Sequence, residues 1–147
     1  MRKILTVALA ILLAAAIPAQ AQVAGMTREQ FREYKENFLK NELNLDDAVA
    51  ARFFPIYEDY QNKKQKLYNE NQSLMDKAGM ASEAEYRAII DRLQAIGKAT
   101  NDLEETYLAK LKTVLTYEQI FKLGKAETKF QKHILKELTR SKNRTRK

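Results

Sequence analysis

Residues 82–114 read SEAEYRAIIDRLQAIGKATNDLEETYLAKLKTV, and their spacing decides the fold class. Tyr86, Leu93, Thr100, Tyr107 and Val114 recur at one heptad position, and Ile89, Ile96 and Leu103 follow three residues after the first three of them. That is a narrow apolar face on a helix, with charged side chains around the rest of the cylinder. Ser82 and Glu85 supply a capping box at its start: the hydroxyl accepts from a backbone N–H while the carboxylate reaches back. At 1.5 Å per residue such a helix is about 48 Å long. A stripe so narrow on a helix so long needs a partner along its whole length.

Three more helices flank this one. Thr27 and Gln30 form another capping box, opening a helix to about Glu42 with Phe31, Tyr34, Phe38 and Leu39 on one face. Leu43-Asn44-Leu45-Asp46 is a joint, with Asp46 placed to cap the next helix, about Asp47–Ala78. Val49, Phe53, Ile56, Tyr57, Tyr60, Leu67, Leu74 and Met75 give its stripe, which Lys63, Lys64 and Asn71 interrupt. Pro55 removes the N–H that would bond the carbonyl of Ala51. The stripe stays in phase beyond it, which predicts a kink and not a break. Leu115-Thr116-Tyr117-Glu118-Gln119 opens the fourth helix, whose expected buried face is Ile120, Phe121, Leu123, Phe130, Ile134, Leu135 and Leu138. Four glycines and two prolines in 147 residues agree with an all-α fold of four helices in long antiparallel hairpins. A faint repeat at an offset of 70 aligns Leu45 with Leu115, Phe53 with Leu123 and Tyr60 with Phe130.

The ends of the chain differ from its body. Arg2 and Lys3 precede an uncharged apolar run from Ile4 to Ile17, Pro18 breaks it, and Ala19-Gln20-Ala21 offers a small-x-small cleavage pattern. Residues 1–21 therefore read as a signal peptide cleaved after Ala21; its apolar run, Ile4 to Ile17, is too short to span a bilayer, and the destination read from it is periplasmic. With no cysteine, neither disulfides nor a lipid anchor is indicated. Setting aside Arg2 and Lys3 lowers the net charge from +7 to +5. Lys136, Arg140, Lys142, Arg144, Arg146 and Lys147, less Glu137, account for it, so Gln22–Leu135 is neutral. Residues 139–147 contain no apolar side chain and are expected to be a basic, disordered tail behind a helical domain at 22–138.

Catalytic chemistry is thinly represented. There is one histidine and no cysteine, no glycine-rich phosphate loop and no G-x-S-x-G turn. The adjacent acids Asp46-Asp47 and Glu104-Glu105 point about 100° apart on a helix and do not converge. His133 and Glu137 are half a zinc site at best, and the reading preferred is a surface ion pair between them. Met26, Met75 and Met80 are scattered along the chain. No catalytic residue, no metal site and no cofactor is expected.

The motif Leu115-Thr116-x-x-Gln119, in an exported and all-helical context, resembles the Spy/CpxP-like (LTxxQ-motif) family of small periplasmic proteins. Leu45-Asp46-Asp47-Ala48-Val49 stands where that family has its first copy, with Asp46 as a cap in place of threonine and Val49 in place of glutamine. Phe53-x-Pro55-x-Tyr57-x-x-Tyr60 resembles a segment of the family's short, poorly characterised branch. The resemblance implies helical hairpins paired into a homodimer. It implies an ATP-independent envelope chaperone, or a regulator docking on a membrane stress sensor or anti-sigma factor. Under that reading Phe53, Tyr57, Tyr60, Lys63, Lys64, Leu67 and Tyr68 are candidates for a client-binding surface that accepts apolar and acidic segments. Unfolded or misfolded envelope proteins, or one membrane sensor, are the expected partners. Nucleic acid is not among them, and the basic tail suits contact with an anionic surface.

Overall fold

The computed structural model describes residues 25–77 and 79–144. The leader expected at 1–21 and the last three residues of the expected tail lie outside them. Four α-helices account for most of the described chain: α1 Arg28–Leu43, α2 Asp47–Asp76, α3 Glu83–Leu111 and α4 Tyr117–Arg144. No strand occurs among the described residues.

Three of the helix starts are those the capping residues predict. The Thr27 N–H donates to Gln30 Oε1 at 2.9 Å and the Gln30 N–H donates to Thr27 Oγ1 at 3.1 Å. Ser82 and Glu85 make the same reciprocal pair at 2.6 and 3.3 Å. Val49 N–H donates to Asp46 Oδ1 at 2.7 Å. The joint before α2 works because Asn44 adopts the left-handed conformation (φ 52°), which asparagine tolerates better than most residues. The helix α2 runs through Pro55 without interruption.

Helix ends depart from the spacing rules. The helix α3 stops at Leu111, short of Val114, because the chain tightens into a turn: Val114 N–H donates to the Leu111 carbonyl and Thr113 Oγ1 to that of Lys110. The opposite happens at α4, which continues to Arg144 where the composition suggests disorder from 139 onward. Lysine and arginine are good helix formers, and cations in a last turn complement the helix dipole. Arg140 also reaches Glu137 at 3.1 Å, and Thr139 Oγ1 returns to the Leu135 carbonyl.

The helices form two compact units, α1 with α4 and α2 with α3. In the first, Phe31, Phe130 and Ile134 make the core, with Met26, Tyr34, Phe38 and Leu138 packed around them. Phe130 is the hub: the rings of Phe31, Tyr34 and Phe38 lie 5.7, 5.8 and 5.3 Å from it. In the second, Tyr60 stacks flat on Tyr107 at 3.8 Å, Lys64 meets Glu104 at 3.7 Å, and Arg92 forks onto Glu70. Numbers rise along α2 as they fall along α3. Thr100 fits within its apolar row because its hydroxyl donates to the Ile96 carbonyl at 2.8 Å. Both members of each pair in the 70-residue repeat are buried.

Between α1 and α4, burial holds the Lys35 ammonium below its ordinary value of 10.5, while Glu127 pulls it back up. Glu127 is itself buried. A base whose folded pKa is depressed penalises folding below that pKa, and the penalty is relieved as pH rises toward the unfolded value. Stability of this unit should therefore climb with pH in the alkaline range below 10.5. Glu127→Gln removes the compensating charge and is expected to lose about 1–2 kcal/mol at neutral pH. Its alkaline rise should begin at lower pH, as read by urea unfolding across a pH series.

Candidate functional site

The seven residues that sequence spacing nominates for client contact divide along α2 into core and edge. Phe53 is 0% exposed, Tyr57 4% and Tyr60 2%. Phe53 packs on Phe54 and Tyr57 at 4.9 and 5.5 Å, and Tyr60 is sealed against Tyr107. These three build the α2–α3 unit and offer no surface to a second molecule. The remaining four face outward to different degrees: Lys64, Leu67 and Tyr68 are half-buried and Lys63 is exposed. Lys63 is tied to Asp59 at 2.8 Å, which holds that carboxyl below its usual range. Lys64 donates to the Tyr60 hydroxyl at 3.1 Å and lies over its ring. The two lysines that interrupt the apolar stripe in sequence thus sit at its margin with their heads in ion pairs, and Lys64 lies over the Tyr60 ring.

Toward the α2–α3 connection the packing opens. An apolar cavity of about 540 Å³, open to solvent, lies there, with Leu74, Met80, Ala81, Ala88 and Ile89 among its lining. Asp76, Lys77 and Glu85 add charge to its wall. Met80 is 97% exposed, and Met75 is 52% exposed on the last turn of α2. Gly79, at φ 113°, turns the chain here, a conformation that side-chain-bearing residues rarely adopt. Its N–H donates to the Tyr86 hydroxyl at 2.7 Å, which ties the turn to α3. Leu74 and Ile89 remain half-buried there.

The connection presents an open apolar surface with charge on its wall. Met80 is a flexible, polarisable side chain in its lining, and the charges on its rim are screened by salt over about 10 Å at 0.1 M. Glu85 is held below the ordinary carboxylate range because the Ser82 backbone N–H donates to it. Sequence spacing does not single out this cavity. Its one sequence signal is Met80 directly after Gly79, which reads as one of several scattered methionines until the turn places it in the lining.

Two further expectations change. His133 does not pair with Glu137. Its Nε2 lies 2.7 Å from the Tyr34 hydroxyl and its ring stacks on Phe38, since that side of α4 faces α1. Glu137 takes Arg140 instead. Phe121 and Leu135, expected in the buried face of α4, are 66% and 60% exposed. At 100° per residue they stand roughly 140° from the middle of the face made by Leu123, Phe130 and Ile134.

Of the motif residues, Leu115 is buried, Thr116 precedes α4 directly, and Gln119 is half-buried in its first turn. Among the described residues no three histidine or acidic side chains gather where they would hold a metal ion. No helix among them is long and apolar enough to cross a membrane. Comparison with protein-family models, with curated proteins and with solved structures finds no match.

Proposed function

We propose that this chain is an exported, periplasmic, ATP-independent chaperone of the Spy/CpxP-like kind, built as hairpins with α2 bent at Pro55 and acting as a homodimer. The observation that supports the reading best is the open, methionine-edged cavity at the α2–α3 connection, with charge on its wall. A holdase needs apolar surface that yields to many sequences, held at low affinity, and no bond-making group. Leu67, Tyr68 and Lys64, half-buried on α2, are further contact positions under this reading. The core aromatics Phe53, Tyr57 and Tyr60 serve it only by holding the helices in place. The Leu-Thr-x-x-Gln motif and the predicted leader point to the same class of protein.

Aggregation of a reduced, unfolding client followed by light scattering tests the proposal. The protein from Gln22 onward should suppress scattering at equimolar dimer in low salt, and less at moderate salt, because exposed charges are screened over about 10 Å at 0.1 M. No suppression at either salt rejects it. A single tight partner recovered from envelope extracts, with no suppression, would favour the sensor-docking regulator instead.

A further inference from the structure

The outward face of α4 carries three large apolar side chains in solvent: Tyr117 at 77%, Phe121 at 66% and Leu135 at 60% exposure. With Thr128 between them they fall within roughly 60° of arc on the helix, a stripe about 27 Å long. Beside it runs a row of lysines at 122, 125, 129, 132 and 136. Lys122 pairs with Glu118 and Lys129 with Glu42, whereas Lys125, Lys132 and Lys136 make no ion pair among the described residues. Lys125 lies over the Phe121 ring, 5.0 Å from its centre. The whole of α4 has eight basic and three acidic side chains, while the described residues before it have two more acidic than basic.

We propose that this face of α4 lies on the surface of a bilayer containing anionic phospholipid. Phe121, Leu135 and Tyr117 enter the boundary between headgroups and acyl chains, and the lysine row meets headgroup phosphates. The charge excludes a second copy as the occupant, since two such helices face to face would oppose like charges. The shape disfavours an acidic polypeptide: side chains spread along one convex helix offer no pocket for the buried anchor that a protein partner needs. A bilayer moulds itself to a row of this kind, and tyrosine is at home in its interface. The inference is independent of client holding.

Co-sedimentation with vesicles tests it, using the protein from Gln22 onward, which keeps every described residue. Binding is expected to vesicles of phosphatidylglycerol mixed with phosphatidylcholine, at low salt, and not to phosphatidylcholine alone. Attraction to an anionic surface is worth roughly fivefold per lysine. The triple substitution Lys125→Gln, Lys132→Gln and Lys136→Gln should therefore weaken binding about a hundredfold, with helicity unchanged by circular dichroism. The chain has no tryptophan, so Phe121→Trp reports on its own site: its emission should shift to the blue on anionic vesicles, while that of Ile90→Trp, exposed on α3, should not. Equal binding to neutral vesicles, or an unchanged triple variant, overturns the proposal. So does retention on poly-glutamate without vesicle binding, which would make an acidic polypeptide the partner.

Discussion

Replacing Phe130 by alanine is expected to remove about 3–5 kcal/mol of stability, enough to melt the α1–α4 unit near room temperature. Phe130 is 3% exposed, and three aromatic rings converge on it. Removing the ring therefore forfeits its own burial and leaves Phe31, Tyr34 and Phe38 around a void that rigid helices cannot close. Lys35, 5.8 Å above the same ring, also loses a favourable contact. The matched control is Phe121→Ala, the same substitution on the same helix two and a half turns earlier. Phe121 is mostly in water, and its loss should change stability by no more than about 0.5 kcal/mol. Urea unfolding followed by circular dichroism separates the two, and similar destabilisation by both would contradict the assigned face of α4.

The second large effect is expected in client holding. Met75→Asp combined with Met80→Asp should weaken suppression of aggregation at least tenfold while leaving the melting temperature within a few degrees. Both side chains are more than half exposed, so neither supports the fold. Burying a methionine against a client is worth about 1.5–3 kcal/mol. A carboxylate in its place loses that and must also be desolvated. Substituting Tyr60, by contrast, should lower stability and holding together, since its ring is covered by Tyr107.

The helices were legible because their signals are local. Capping pairs at Thr27, Asp46 and Ser82 act within one turn, and the heptad of α3 needs no knowledge of its partner. Facing was harder to read. Along α2, apolar spacing places Phe53 and Met75 in one stripe, yet the first is sealed and the second, on the last turn, is open. Along α4, Phe121 and Leu135 are apolar but out of phase with Leu123 and Phe130, and hydrophobicity without angle merges two faces into one. His133 shows the same limit: Glu137 is its neighbour in sequence, but Tyr34, 99 positions away, is its partner. The extension of α4 past Leu138 was hidden because a run of basic residues suits a helix C-terminus as well as a disordered tail.

The most direct test places a photo-crosslinking phenylalanine analogue at position 80, and in a second preparation at position 53, in the protein from Gln22 onward. Illumination with an unfolding client mixture should yield adducts of many masses from position 80 and none from position 53. A bare lane at position 80, or one discrete adduct there, would contradict a surface that holds unfolded chains at the α2–α3 connection.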